Sequence, residues 1–168
     1  MHKIVELAKK SVEEFISNRK TICPPEHLSP EMQEKAGVFV CIKKRGLLRG
    51  CVGTFMPCTE NITVETIKNA IAAATQDPRF VPVEEDELNE LVYSVDVLSP
   101  PEKIENVSEL DPEKYGVIVV HGNQKGLLLP DLEGVNSAEE QLKIAKMKAG
   151  IRTDEKTEIF RFRVNRYR

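Results

Sequence analysis

Two pairs of short apolar runs, each bracketing turn-forming residues, constrain this chain more than any other feature. The first pair is "GVFVCIK", Gly37 to Lys43, and the run beginning at Leu47, separated by "KRG". The second is "GVIVVH", Gly116 to His121, and "GLLL", Gly126 to Leu129, around "GNQK". Runs rich in β-branched residues across a tight turn predict β-hairpins, and hairpins pair antiparallel. Between and around them lie helical patterns. Lys3 to Asn18 repeats apolar residues at Ile4, Val5, Ala8, Val12, Phe15 and Ile16, the spacing of an amphipathic helix. Asn61 to Gln76 carries Val64, Ile67, Ile71 and Ala74 on one face. Ser137 to Ala149 reads as a third helix, with Ser137 as N-cap, Glu140 completing a capping box and Gly150 as C-cap.

"LVYSVDVLS", Leu91 to Ser99, alternates as a strand with Tyr93, Val95 and Val97 on its buried side. Glu158 to Asn165 alternates as one more half-buried strand. Glu84 to Leu91 suits a short helical turn. The proline-rich "CPPEHLSPEM" and the long "PPEKIENVSELDPEKY" read as irregular connections. No internal repeat is visible. The order helix, hairpin, helix, strand, hairpin, helix, strand predicts an α+β fold: a mostly antiparallel sheet flanked by helices. The 168 residues suit a single domain, 1–168, which the long middle connection could divide into two lobes.

The charge balance, 24 Lys and Arg against 27 Asp and Glu, lacks the positive excess of a protein that binds nucleic acid over its whole surface. No run is long and apolar enough for a membrane span, and the charged N-terminal segment is not a signal peptide, so a cytoplasmic protein is expected. The four cysteines form no C-x-x-C pair or zinc spacing and are expected as free thiols. No metal site and no glycine-rich phosphate loop of Walker or dinucleotide type is read, so no cofactor is assigned.

The candidate site is "LLRGCVGTF", Leu47 to Phe55. Gly50 and Gly53 flank Cys51, and glycines within a strand suit a bulge or a close approach. A strand would place Arg49 and Cys51 on one face, where the guanidinium and bare N–H groups would favour a thiolate. Cys51 is then the candidate catalytic thiol, with Arg49, Gly50, Gly53 and Thr54 as binding residues. The competing reading is a core cysteine among packing glycines. "QDPRF" is the second candidate: Asp77 could close a turn, and Arg79 could pair with it or with a ligand anion. His121 could meet Cys51 in space, but a strand-end surface histidine is the simpler reading. Basic clusters at Lys43, Lys44, Arg45 and Arg49, and at Arg161, Arg163, Arg166 and Arg168, would form a nucleic-acid surface only if they shared one side.

"LLRGCVGTF", "AAATQDPRFVPV", "ELNELVYSVDVLSPPEKI" and "GLLLPDLEGVNSAEEQLKIAKMKAGI", in that order and followed by "IFRFRV", resemble the AMMECR-type family, which includes protein A of the AmmeMemoRadiSam system. The resemblance maps Arg49, Gly50, Cys51, Gly53 and Thr54 onto the family's central motif. It maps Asp77, Arg79, Phe80 and Pro82 onto its second block, Gly126 to Pro130 onto the third and Lys148 to Gly150 onto the fourth. It implies a larger antiparallel-sheet lobe and a smaller one, with the "RGC" segment near the groove between them. It also implies a Memo-type protein and a radical-SAM protein as partners. Two functions follow as expectations. One is a component of a modification pathway with Cys51 as reactive thiol. The other is a non-catalytic binding or adaptor module for protein partners or nucleic acid.

Overall fold

The computed structural model describes residues 1–168. The chain divides into two compact units: residues 1–97 with 165–168, and residues 98–164.

In the first unit, helix α1 (Lys3–Asn18) starts at His2, whose ring Nδ1 accepts the Ile4 N–H at 3.3 Å. A one-turn helix α2 (Pro30–Gln33) follows within the proline-rich segment read as irregular. Pro30 sits in its first turn, where a missing N–H costs nothing. Strands β1 (Val38–Lys44) and β2 (Leu47–Thr54) form the first hairpin. Its two turn residues, Arg45 and Gly46, have φ of 51° and 81°, as a primed turn demands. Helix α3 (Ile62–Thr75) begins at Asn61, whose side chain accepts the Val64 N–H at 3.0 Å. A 3-10 helix (Glu85–Glu90) leads into β3 (Leu91–Leu98). The sheet order is β2-β1-β3-β8, where β8 is Val164–Tyr167. Val38, Val40, Ile42 and Val95 are fully buried with Ile4, Val5, Ala8 and Val12 of α1 and Ala70 and Ala73 of α3. The opposite sheet face carries Phe39, Cys41 and Lys43.

The second unit contains β4 (Glu102–Ile104), a 3-10 turn (Val107–Glu109), β5 (Gly116–His121), β6 (Gln124–Leu128), α4 (Ala138–Ala149) and β7 (Glu158–Phe162). Its sheet order is β4-β7-β5-β6. Val117, Val119 and Leu128 pack against Ala145 of α4. Ser137 caps α4 by accepting the Glu140 N–H, while the Glu140 carboxylate reaches back to the N–H of Asn136, one residue beyond a standard capping box. Gly150 ends the helix with φ of 70°.

Three sequence expectations need correction. "PPEKIENVSELDPEKY" contains β4 and a 3-10 turn; three residues in a strand are too few to show a period. The single strand Glu158 to Asn165 is two strands, β7 and β8, which belong to different sheets. The chain also has an internal repeat, in three dimensions. Each unit holds a hairpin, a helix and a returning strand that pairs antiparallel with the hairpin's first strand: β1-β2-α3-β3 and β5-β6-α4-β7. After β3 the chain supplies β4 to the second sheet; after β7 it supplies β8 to the first.

Details repeat as well. Gly50 of β2 lies so close to the Ala73 carbonyl oxygen that no Cβ fits, and Gly126 of β6 lies the same way against the Ala145 carbonyl. Four residues before each alanine, a helix amide ties down the start of the hairpin: Asn69 Nδ2 donates to the Val38 carbonyl at 2.9 Å, and Gln141 Nε2 to the Tyr115 carbonyl at 2.8 Å. Val38 and Tyr115 each stand four residues before the register partner of the glycine, Ile42 and Val119.

Candidate functional site

β2 is an edge strand, and its exposed edge at Cys51 is closed by side chains from "QDPRF". The Cys51 N–H donates to Asp77 Oδ2 at 2.9 Å, and Arg79 Nη2 reaches the Cys51 carbonyl at 3.4 Å. Asp77 and Arg79 bind each other at 2.7 Å and 2.9 Å, and Asp77 also accepts the Arg79 N–H. The Arg79 guanidinium holds the Asp77 carboxyl well below the usual carboxylate range, against the opposing effect of burial. Asp77 does form the turn expected of it, and the same carboxylate fixes the candidate cysteine's backbone.

Because the Cys51 N–H and carbonyl point out of the sheet, its partner across the hairpin cannot be hydrogen-bonded to it. That partner is Cys41. Cys41 and Cys51 are thus a directly opposed, non-hydrogen-bonded pair, the arrangement that brings antiparallel side chains closest, with Cα atoms about 4.5 Å apart. Both thiols are free and half-buried. They titrate together. The hydrogen bond from Cys51 lowers Cys41 to about 7, against burial, with Lys43 and Arg166 helping. Donation to Cys41 and burial push Cys51 up, against Arg79. The pair therefore ionises as a unit: its first proton leaves more readily, and its second less readily, than from an ordinary thiol.

Across β3, Ser94 is the register partner of Cys41, and Asp96 is the partner of Phe39. Asp96 is 6% exposed and is bound by Arg166 Nε and Nη2 at 2.8 Å each. The Phe39 ring covers Gly53, leaving no room for a Cβ there.

Arg49 is placed elsewhere. The hairpin register slips between Ile42 and Lys43, so Arg49 is the extra residue of a bulge and period-two reasoning fails there. Its guanidinium is committed to Glu87 at 2.8 Å and 3.0 Å and to the Val81 and Pro82 carbonyls. Arg79 is the cation that acts on the Cys51 thiol. Arg49 instead straps the "RFVP" loop and the 3-10 helix to the hairpin. The strap titrates. Arg49 holds the Glu87 carboxyl down to about 2, against burial and aided by the Glu84 N–H and Lys44. A lowered folded-state value adds stability that is present above the ordinary carboxylate range and lost on acidification. The melting temperature should therefore fall as pH drops from about 4.5 toward 2, and Glu87→Gln should flatten that limb.

Thr54 serves a buried carboxylate that has no sequence motif. Glu65 in α3 is fully buried and accepts from Thr54 Oγ1 at 2.5 Å, Thr59 Oγ1 at 2.7 Å, the Cys58 N–H at 3.0 Å and the Thr59 N–H at 2.9 Å. Burial alone would raise its pKa, but these four bonds keep the carboxyl below its ordinary value.

His121 belongs to the second unit. Its Nδ1 lies 2.9 Å from the Lys156 carbonyl, beside an open pocket of about 480 Å³. The basic clusters are largely spent on ion pairs. Lys44 and Arg45 bind Glu87 and Glu90, Arg161 binds Glu102, Arg163 donates to the Tyr115 hydroxyl, and Arg166 binds Asp96. No group of three His, Cys, Asp or Glu side chains is placed to hold a metal ion.

The AMMECR1 family model matches residues 5–167. The chain belongs to the AMMECR1 family. A protein of Thermotoga maritima is 53% identical over 170 residues, covering 99% of this chain and 98% of that protein. The protein CA_C1420 of Clostridium acetobutylicum is 51% identical over 166 residues; the match covers 98% of this chain but 35% of that longer protein. The crystal structure of the uncharacterized protein PH0010 from Pyrococcus horikoshii superposes with a TM-score of 0.90 at 37% identity, covering 97% of this chain and 88% of that one. The α+β architecture of two antiparallel sheets with helices is therefore that of an AMMECR1 protein. No helix is long and apolar enough to cross a membrane.

Proposed function

We propose that this AMMECR1 protein is a component of a modification pathway with Memo-type and radical-SAM partners, and that the Cys41–Cys51 face of the first sheet is its working site. The observation that carries the reading is the directly opposed pair of free thiols, whose coupled ionisation brings Cys41 down to about 7. Such a pair suits nucleophilic attack on an electrophilic carbon or sulfur centre. Asp77 and Arg79 position the pair by fixing the Cys51 backbone. Gly50 lets α3 seat against the core face of β2 behind the pair, Gly53 lets the Phe39 ring lie beside it, Thr54 anchors the strand end, and Arg49 straps the loop that delivers Arg79.

The internal repeat supports the assignment. Counting from Gly50 and Gly126, the second unit places Leu127 where the first has Cys51, and Ile118 where it has Cys41. Lys148 caps the Leu127 carbonyl at 3.0 Å, as Arg79 caps that of Cys51. The same scaffold thus folds with apolar residues at both positions, so folding does not call for the thiols. The partners rest on the family resemblance, and the longer Clostridium relative fits a domain that works beside others.

Alkylation of Cys41 by iodoacetamide should show a pH midpoint near 7 in the wild-type protein. In Cys51→Ala, which removes the donor, it should move toward the free-thiol value of about 8.5. A wild-type midpoint at or above about 8.5, with pathway output intact in Cys41→Ser and Cys51→Ser, overturns the reading.

A further inference from the structure

We propose that Cys41 and Cys51 close to a reversible disulfide when a hydroperoxide reaches this sheet face, so that oxidation switches the site off. The inference rests on the thiol reading above and adds its regulation.

Geometry comes first. A disulfide needs Cα atoms about 4.4 to 6.8 Å apart and Cβ vectors that converge. The opposed non-hydrogen-bonded pair stands at the short end of that range, and directly opposed residues project to the same face. The strand positions are held on both sides. Cys41 pairs with Ser94 on β3, and the Cys51 N–H and carbonyl are gripped by Asp77 and Arg79. As directly opposed register partners the two thiols are near enough for their titrations to be coupled. Closing the bond requires side-chain rotation and no new strand register. Both residues are half-buried, which admits a small oxidant. The other two cysteines, Cys23 and Cys58, are exposed and are not register partners of any cysteine.

The chemistry balances as follows. The Cys41 thiolate attacks the terminal oxygen of the hydroperoxide, the O–O bond breaks, and Cys41 becomes a sulfenic acid as the alkoxide or hydroxide leaves and takes from solvent the proton that Cys41 had released, becoming alcohol or water. The Cys51 sulfur, as thiolate, then attacks the Cys41 sulfur; its proton goes with the departing hydroxide as water. Two thiols lose two electrons and two protons, and the peroxide is reduced to alcohol, or water, plus water. A small dithiol reverses the step by exchange.

The test uses the full chain carrying Cys23→Ser and Cys58→Ser, which leaves only the pair. After treatment with hydrogen peroxide, intact mass should fall by two hydrogens. Both thiols should become resistant to alkylation, and the peptides bearing Cys41 and Cys51 should be linked. Dithiothreitol should restore both thiols. Cys51→Ser on the same background should instead yield a sulfenic acid at Cys41 that dimedone traps. Oxygen addition without loss of hydrogen, or a linked dimer in place of the internal bond, overturns the proposal. A link that forms while Cys41→Ser leaves pathway output intact keeps the disulfide and removes the thiol reading. No link with output abolished does the reverse.

Discussion

Glu65→Ala should be among the most damaging single substitutions in this protein, lowering stability by about 3 to 5 kcal/mol. The carboxylate is fully buried and is the shared acceptor for the Thr54 and Thr59 hydroxyls and the Cys58 and Thr59 N–H groups. Removing it strands the Thr54 hydroxyl and the Cys58 and Thr59 N–H groups at once, while the Thr59 hydroxyl keeps the Asn61 carbonyl at 3.0 Å; an unmet buried donor costs more than a made bond gains. These donors lie at the end of β2 and in the loop before α3, and Glu65 itself is in α3, so the loss unlatches the strand that carries Cys51 from the helix behind it. For a chain of this size the expected fall in melting temperature is roughly 10 °C or more. Glu65→Gln keeps one acceptor oxygen and should cost less. The pH dependence separates the carboxylate's charge from its shape. Its folded value lies below the ordinary one, so its contribution is present above that ordinary value and is lost on acidification. Thermal melts of Glu65→Gln should therefore lose part of the wild-type acid limb. If Glu65→Ala melts within about 3 °C of wild type, the loop is held by something other than this carboxylate.

The sequence could not show this latch because nothing in the spacing of Glu65 differs from an ordinary first-turn glutamate of an exposed helix. What was legible followed from period and turn chemistry. The hairpin turns at Arg45–Gly46 and Gly122, the caps at Ser137 and Gly150, and the antiparallel α+β class all depend on residues close in sequence. Cys51 stood out through its glycines. Its partner Cys41 did not, because the pairing depends on the bulge at Arg49, which resets the hairpin register by one residue. That bulge also redirected Arg49 to Glu87, while Arg79, read as a local partner of Asp77, proved to reach the Cys51 carbonyl as well. The internal repeat was hidden for a related reason. Its signature is a glycine opposite a helix alanine, with Asn69 in one unit and Gln141 in the other doing the same work. Different side chains satisfy the same geometry, so little sequence identity between the halves is needed.

The repeat leads to the second large effect. Gly50→Ala would drive a Cβ into the Ala73 carbonyl oxygen, and Gly126→Ala would do the same to the carbonyl of Ala145. A flexible side chain could swing aside, but a helix carbonyl cannot. Either α3 or α4 must lift off its sheet, or the strand must sag. Overpacking of this kind costs about 1 to 3 kcal/mol, and contact with rigid backbone puts both sites at the upper end. Each variant should melt roughly 6 to 12 °C below wild type. Gly134→Ala is the control: nothing lies within 4 Å of its Cβ position, so its cost is only that of a left-handed φ of 83°, about 1 kcal/mol. Function should separate the two close-approach sites. Lifting α3 moves the Ala73 end of the helix that leads into Asp77, and with it the groups that hold Cys51. Gly50→Ala should therefore also raise the pH midpoint of Cys41 alkylation, whereas Gly126→Ala should leave it near 7. Equal midpoints in folded samples of both variants would show that the thiol pair does not depend on the seating of α3.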